Sequence, residues 1–331
     1  MSREGRREVV IPLRRRSPAV WGLRIGLGLA ATAALVYLAA RQAEPQAAWR
    51  VLRAADPLPL AGALGAMLAN IALKVWRWRW LFHPEAPRRL LAPLLVGQLG
   101  NVLLPGRMGD AARVWLAGRG GAGLGRSALT VLVEKAVDGL LLLGLAAGLV
   151  AFLPAAPELS AGRLAASGAL GALFLVATLA AVWAPLRRRV LGLARLLGLA
   201  AHLEPPLAAL GRPGVQLRLW GASLAIWLLA GLVNDLGFRA VGIDLPLTGG
   251  MLLAVTEIAG NNLAYSPAGV GVYHSICVVT LSLFGVGYER ALSAAVLLHL
   301  VVYGPIVVGG LGSLWLAGRG PRPWRMWYND E

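Results

Sequence analysis

The chain has few of the residues on which soluble catalytic and binding sites depend. It contains one cysteine, Cys277, so it cannot form an internal disulfide framework. Its four histidines match no metal-binding spacing, and the sequence has no nucleotide-binding loop and no nucleophile–base spacing. Charged residues make up only 15% of the 331 residues. The sequence therefore predicts no metal, no cofactor and no enzymatic active site.

Long apolar runs dominate the sequence instead. Apolar residues, counting tyrosine and cysteine with them, make up 57% of the chain. A helix of about 20 residues crosses the ~30 Å hydrocarbon core of a bilayer. Six runs reach or approach this length: Trp21–Ala40, Leu58–Leu73, Leu124–Leu153, Leu164–Pro185, Leu217–Val241 and Ala291–Ala317. We therefore expect an all-α fold, a polytopic membrane helix bundle with about six full spans.

The excess positive charge is concentrated in three segments outside the apolar runs. A formal net charge of +16 would suggest nucleic acid binding in a soluble protein, but here the arginines cluster before the first run, in residues 186–218, and after the last run. This is the positive-inside pattern. It predicts a multi-pass protein of a bacterial inner membrane, with no nucleic acid partner. Residues 1–18 form a basic cytoplasmic leader, 19–317 a single transmembrane domain and 318–331 a cytoplasmic tail.

The long basic loop has a second expected role. Residues 186–216 have arginine and leucine at helical spacing. This spacing predicts an amphipathic helix that lies on an anionic lipid surface at the cytoplasmic side.

One segment is apolar but does not fit a complete crossing. The apolar part of Leu90–Ala117 is about 15 residues long, or ~22 Å as a helix, which is too short to span the bilayer. It ends at Pro105 and Gly106. A complete crossing here would put residues 186–218 outside the cell, against the charge rule. A re-entrant hairpin that enters from the cytoplasm and returns there keeps every basic loop inside.

A second segment is interrupted in a similar way. Pro246–Gly287 is broken at residues 266–271, and parity does not distinguish a re-entrant hairpin from two short spans. The spacing Asn101, Pro105, Gly109 in the first break is similar to Asn262, Pro267, Gly271 in the second. With flanking spans of opposite direction, this indicates an inverted repeat with halves of about 58–153 and 217–317. Two unrelated Pro/Gly breaks are the alternative.

Each break is followed by a predicted helix start, at Met108 and at Val270. A helix N-terminus has free N–H groups and a partial positive charge that suit phosphate. Arg107 and Arg113 add full charges beside the first, so we expect a phosphate-binding centre between the two starts. The alternative is that Asp110 caps its helix and pairs with both arginines. The expected hinge residues are Pro105, Gly109, Pro267, Gly269 and Gly271.

Ionisable residues inside spans are costly and face the bundle interior. Glu134 and Asp138 share one helix face; either they lock the first hairpin by pairing with Arg107 or Arg113, or they line the lipid path. Glu257 and Asn261 are expected to contact a headgroup. His299 is either a proton relay or a buried hydrogen-bond partner. The expected translocation residues are Asn101, Arg107, Asp110, Arg113, Glu134, Asp138, Glu257, Asn261, Tyr273 and His299.

Two further polar groups have simpler interpretations. The run from Trp76 to Trp80 alternates tryptophan with arginine and is typical of an aromatic belt with arginines that reach the interface. Asp235 and Arg239 are one helical turn apart, which predicts a local salt bridge near the end of their span, with Asn234 beside them.

Several of these residues together resemble a known family. Gln98 to Asn101, then Pro105, Arg107, Gly109, Asp110 and Arg113, followed by Glu134, Lys135 and Asp138, and later Pro267 to Gly271, are similar to the lysylphosphatidylglycerol synthase transmembrane-region family of flippase-like proteins. Lys135 stands where that family usually has arginine, and His274 where it often has glutamate. No soluble aminoacyl-transfer domain is expected after Ala317.

The resemblance implies a function in lipid translocation. The expected substrate is a phospholipid, or a lipid-linked glycan or hopanoid-type molecule, moved across the bilayer. The alternatives are an enzyme acting on a lipid-linked substrate, or a membrane-embedded partner in a lipid or cell-envelope biosynthesis complex. Expected partners are a lipid substrate and a second copy of the chain or a biosynthetic enzyme.

Overall fold

A computed structural model describes residues 53–82, 87–104, 107–119, 123–151, 211–263 and 269–318, with a few positions between 162 and 192. The first apolar run, Trp21–Ala40, lies outside the described residues. So do the basic leader and tail, most of Leu164–Pro185 and most of the loop 186–216. The topology predictions that depend on those segments stay predictions.

The described part of the chain is helical and has no strand. The helices are α1 (Pro57–Phe82), α2 (Pro87–Leu103), α3 (Met108–Ala117), α4 (Leu124–Ala151), α5 (Pro213–Ala240), α6 (Leu247–Leu263), α7 (Val272–Ser282) and α8 (Tyr288–Gly318). The all-α prediction is confirmed. The count of six full spans is not tested, because two of the six predicted runs fall wholly or mainly outside these helices.

Three of the described helices are long and apolar enough to cross a membrane: α1, α5 and α8. The helix α4 has the length, at 28 residues, but it carries charged side chains in its first half. The helices α2 and α8 each contain an internal proline, Pro93 and Pro305. In membranes such prolines are tolerated where neighbouring groups satisfy the freed carbonyl.

Both predicted helix breaks are present. The helix α2 ends at Leu103 and α3 begins at Met108, while α6 ends at Leu263 and α7 begins at Val272. The first arms, α2 and α6, are each 17 residues long. The residue before each second arm has a positive φ, 58° at Arg107 and 84° at Gly271. The second arm starts at Val272, not at the predicted Val270, because Gly271 turns the backbone first.

The two arms of the first break pack closely because glycines face each other. A Cβ atom built on Gly109 would overlap the carbonyl oxygen of Gly97 and the amide of Asn101. A Cβ atom on Gly100 would lie 2.7 Å from the Cα of Gly109. Glycine at these positions therefore allows the α2 and α3 backbones to touch, and the hairpin is closed by backbone contact.

The helices α1 and α5 are antiparallel neighbours. The amide of Asp56 donates to the carbonyl of Ala240 at 2.8 Å, at the start of α1 and the end of α5. Further along, the side-chain amide of Asn70 donates to the carbonyl of Ile226 at 2.7 Å. Around this pair, α2 packs on α8 and α6 packs on α4. The core between them includes Trp78, Phe238, Leu253, Tyr273 and Leu298, all with no exposed surface.

Candidate functional site

A buried ion-pair cluster joins four helices around Glu134. Its carboxylate receives hydrogen bonds from Arg113 on α3 at 3.2 and 2.7 Å and pairs with Arg77 on α1 at 3.0 Å. Arg77 also donates to Asp138, with Nη2 to Oδ2 at 3.0 Å, and to the hydroxyl of Ser223 on α5 at 2.7 Å. Both arginines are nearly fully buried, with 1% and 4% of their surface exposed. Buried charges of this kind are stable only when paired.

This cluster holds the first hairpin in place. The guanidinium of Arg113 lies 3.9 Å from the ring centroid of Trp78, which is a cation–π contact. The indole N–H of Trp78 donates to Thr130 on α4 at 2.9 Å. The structure therefore supports the lock interpretation of Glu134, with Arg113 as its partner. The predicted pairing of Arg113 with Asp110 is wrong, because the Arg113 guanidinium is turned toward Glu134.

The aromatic-belt interpretation is contradicted at Arg77 and Trp78 and stays a prediction for the rest of residues 76–80. Trp76 and Trp80 are 41% and 39% exposed, and Arg79 lies over the Trp76 ring. Arg77 and Trp78 are buried in the bundle, so assigning them to the belt was wrong. Helical spacing was the available signal. Asn70, Lys74, Arg77 and Trp78 follow at intervals of four, three and one and so fall on one face of α1.

The first break carries a more open group of charges centred on Asp110. Asn101 and Asp110 are joined by two hydrogen bonds, from the Asn101 amide to the carboxylate at 3.0 Å and from the Asp110 backbone N–H to the Asn101 oxygen at 3.1 Å. Arg107 and Lys135 each lie 3.4 Å from the same oxygen, Oδ2. Their side chains are 52% and 34% exposed. Two accessible cations thus share one carboxylate.

Asp110 does not cap its helix. Arg107 is at the N-cap position of α3 and makes no side-chain capping hydrogen bond, while the Asn101 side chain accepts from the Asp110 backbone N–H. The capping half of the alternative interpretation is therefore wrong, because Asn101 rather than the helix start engages the Asp110 side chain. The pairing of Asp110 with Arg107 is confirmed, and Lys135 is an additional partner.

Lys74 is a residue to which the sequence interpretation gave no role. It lies on the inner face of α1 and is half-buried. It interacts electrostatically with Asp138 and Glu134 on α4 and with Glu257 on α6. Within the described part of the chain its ammonium makes no hydrogen bond and no ion pair at contact distance. Lys74 is therefore within electrostatic range of carboxylates from both halves of the chain.

The second half has a different kind of polar cluster, built from aromatic rings and one carboxylate. His274 and His299 are stacked, with ring centroids 5.0 Å apart, and His299 lies 4.6 Å from Tyr303. The Tyr303 hydroxyl donates to Glu257 at 3.5 Å. Tyr273 contacts His299 edge-on at 5.4 Å. The structure thus brings together three predicted residues, Glu257, Tyr273 and His299, on α6, α7 and α8.

The cluster leaves polar atoms unpaired in the described part of the chain. The Tyr273 hydroxyl and the Nδ1 atom of His299 are buried and have no hydrogen-bond partner there. Tyr273 has no exposed surface. A buried polar group without a partner is unfavourable by ~1–3 kcal/mol, so unpaired atoms of this kind are functional candidates.

Other predicted residues have different outcomes. The salt bridge between Arg239 and Asp235 is confirmed at 3.0 Å, while the Asn234 amide donates to the Gly250 carbonyl, also at 3.0 Å. Gly269 and Gly271 have positive φ, as expected of hinge glycines. Three predicted positions lie outside what the structure describes: Pro105, Pro267 and the Asn261 side chain.

The predicted phosphate centre between the two helix starts is not tested. The helix α3 packs on α2 and α4, while α7 packs on α6 and α8. Each helix start therefore lies among the helices of its own half. A centre shared by both stays a prediction.

The family comparison covers the residues of the ionic lock and of both helix breaks. The model of the lysylphosphatidylglycerol synthase transmembrane region matches residues 25–310, which is most of the chain. The chain belongs to this family. This confirms the resemblance drawn from the motifs around Arg107, Glu134 and Gly271. Its helices and its family indicate that the chain is a multi-pass membrane protein.

One curated relative is a glycosyltransferase. The chain is 26% identical over 338 residues to the protein named glycosyltransferase AglD of Haloferax volcanii, an alignment that covers 87% of this chain and 53% of the relative. The chain therefore spans about half the length of that protein. No solved structure matches the chain at a significant level.

Proposed function

We propose that this protein moves a membrane lipid with an anionic headgroup across the inner membrane of a bacterium. The observation that carries the proposal is Lys74. It lies eight residues before the end of α1, ~12 Å along a helix long enough to span the membrane. A lysine at such depth is costly, and such residues mark substrate pathways unless they are paired. Arg77 is paired; Lys74 makes no close ion pair within the described residues.

The charges at the first break support an anionic headgroup. Arg107 and Lys135 share the Asp110 carboxylate at 3.4 Å each, longer than a charge-assisted hydrogen bond. A phosphate can take the place of that carboxylate between the two cations. Because both cations are partly exposed, they can meet a headgroup first, and Lys74 and Lys135 can then receive it deeper in the bundle.

We further infer that α1–α4 and α5–α8 form an inverted repeat. The antiparallel contact of α1 with α5 supports a twofold axis perpendicular to the helices. The equal lengths of α2 and α6 and the positive φ before α3 and α7 also support it. Exchanging the two halves converts the α2–α8 contact into α6–α4, and the α1–α2 contact into α5–α6. In such a repeat the two hairpins enter from opposite sides of the membrane.

Two hairpins that enter from opposite sides of the membrane would give the headgroup a route across it. A headgroup received beside the first break, on the cytoplasmic side, would leave beside the second, on the outer side. Glu257, on the first arm of the second hairpin, interacts electrostatically with Lys74 of α1. The polar groups of the two halves are therefore neighbours in the bundle, as a continuous headgroup path requires.

The test is transport by variants of Lys74. We expect Lys74→Gln to lower the rate at which proteoliposomes expose a fluorescent phospholipid to dithionite by about tenfold, because a deep phosphate contact is worth ~1.4 kcal/mol or more. Arg290→Gln is the control, since Arg290 is exposed at the start of α8 and its removal lowers the total charge equally. Unchanged transport by Lys74→Gln, with normal folded yield, would contradict the proposed role.

A second candidate function is favoured by the name of the relative. A protein of which this chain spans about half is named a glycosyltransferase. The membrane bundle could then present a lipid acceptor to a glycosyl-transferring partner. Purified protein that transports no lipid, yet changes a lipid acceptor when a sugar donor is added, would favour this candidate over transport.

A further inference from the structure

We infer that the cluster of Glu257, Tyr273, His299 and Tyr303 binds a neutral, hydroxyl-rich group attached to the phosphate of the transported lipid. This inference rests on the proposed function, because it assigns the part of the headgroup beyond the phosphate. The chemical class is a polyol, either a sugar or a cyclitol.

The first argument is the set of unpaired atoms. The Tyr273 hydroxyl and the His299 Nδ1 are buried without a partner in the described part of the chain. The Glu257 carboxylate has one contact there, with Tyr303 at 3.5 Å, the long limit of a hydrogen bond. Hydroxyl groups both donate and accept, so one polyol can satisfy a phenol, an imidazole nitrogen and a carboxylate together.

The second argument is the shape of the surroundings. The rings of Tyr273, His299 and Tyr303 lie within 5.7 Å of one another, centroid to centroid, on two adjoining helices. Tyr273 is fully buried, whereas Glu257, His299 and Tyr303 are half-buried and form the accessible side of the cluster. Aromatic rings offer apolar faces against the C–H groups of a sugar ring, and polar groups at their edges bind its hydroxyls.

The third argument is the charge of the site, which excludes the other headgroup classes. A phosphate is disfavoured beside Glu257. An ammonium is disfavoured because Lys74 interacts electrostatically with the same carboxylate. The lysine and the carboxylate offset each other, and the remaining groups are two phenols and imidazole rings. The site therefore suits an uncharged group rich in hydroxyls.

Lys74 also places this site next to the phosphate site. It interacts electrostatically with Asp138 and Glu134 on α4 and with Glu257 on α6. A phosphate near Lys74 would put its substituent at the Glu257 cluster. The two sites together thus select a phosphodiester whose second ester is a polyol.

The test compares two lipids that share acyl chains and a phosphodiester. Phosphatidylinositol carries a hydroxylated ring, and phosphatidylmethanol carries a methyl group. We expect native mass spectrometry of the full chain, given equal amounts of both, to show about 5-fold more bound phosphatidylinositol, the effect of one hydrogen bond. Tyr273→Phe and Glu257→Gln should each lower this ratio, because each removes one hydrogen bond to the ring hydroxyls, without lowering phosphatidylmethanol binding. Tyr288→Phe, at the start of α8, is the control.

The outcomes separate this inference from the proposed function. Equal binding of both lipids by the wild type, or an unchanged ratio in both variants, would overturn the hydroxyl site even if liposomes show transport. If one variant fails to fold, the other carries the comparison, because they alter different helices. A preference for phosphatidylinositol without transport in liposomes would leave the binding site standing and refute translocation.

Discussion

At the scale of single residues, Glu134 is the carboxylate at the centre of the buried ion-pair cluster. It is 6% exposed, and two guanidinium groups from different helices depend on it for charge compensation. Burying an arginine without a carboxylate is strongly unfavourable, and the unpaired partner carries most of that cost. Glu134 therefore contributes to stability chiefly by allowing Arg77 and Arg113 to be buried.

This dependence gives a prediction for two neighbouring carboxylates. Glu134→Gln should lower the free energy of unfolding by ~3–5 kcal/mol, because two buried arginines lose compensation. Asp138→Asn should cost less than half as much, since Asp138 is 23% exposed and, among the described residues, forms a close ion pair only with Arg77. Unfolding in detergent at increasing dodecyl sulfate concentration measures both. Equal losses would show that the cluster is not centred on Glu134.

The charged residues also mark the limit of what the sequence could predict. The Glu134–Arg113 lock was predictable, because an ionisable group in a span needs a partner and Arg113 was the nearby candidate. The burial of Arg77 was not predicted, since alternating tryptophan and arginine also describes an interfacial belt. Only the helical phase, which depends on where the neighbouring helix packs, separates Arg77 and Trp78 from Trp76 and Trp80.

At the scale of elements, glycine governs the first hairpin. The arms α2 and α3 meet through backbone atoms at Gly97, Gly100 and Gly109. This contact fixes where Arg113 emerges from α3, and so whether Arg113 reaches Glu134. The close approach and the ionic lock are therefore two parts of one arrangement.

Adding one methyl group to the hairpin tests this arrangement. Gly109→Ala should destabilise the protein by ~1–3 kcal/mol, because its Cβ would overlap backbone atoms of α2 that cannot rotate away. Gly139→Ala is the matched control. Among the described residues, no atom outside the local helix backbone lies within 4 Å of a Cβ at Gly139, and alanine favours a helix by up to ~1 kcal/mol. Equal stability of the two variants in thermal unfolding would contradict a backbone-packed hairpin.

The positions of the long helices were predicted well from the lengths of the apolar runs, with the end of α1 as the main difference. Apolar length gave α1, α4, α5 and α8 to within a few residues at most ends, because span length is set by the bilayer. The apolar run Leu58–Leu73 stops nine residues before the end of α1, because the helix continues through Lys74 and the Trp76–Trp80 run to Phe82. Polar residues that face the bundle interior do not end a helix.

At the scale of the whole molecule, the direction of each span is the main expectation still to be measured. The positive-inside rule puts Arg212, at the start of α5, in the cytoplasm. The loop between α7 and α8 would then face outward, as opposite entry of the two hairpins requires.

Cysteine labelling in intact cells tests this direction. In a Cys277→Ala background, a cysteine at Gly287 should react with a membrane-impermeant maleimide, and a cysteine at Arg212 should react only after permeabilisation. Both positions are exposed, so accessibility within the fold does not limit the reaction. Labelling of both positions, or of neither, in intact cells would refute the inverted arrangement.

The account as a whole depends on whether the purified chain moves lipid. The most direct measurement is the rate at which proteoliposomes, with and without an imposed pH gradient, expose an inner-leaflet fluorescent phosphatidylinositol to dithionite. We predict exposure well above that of protein-free liposomes, and reduced by about tenfold in liposomes made with Lys74→Gln. A rate equal to that of protein-free liposomes under both conditions, from correctly folded protein, would contradict the central claim.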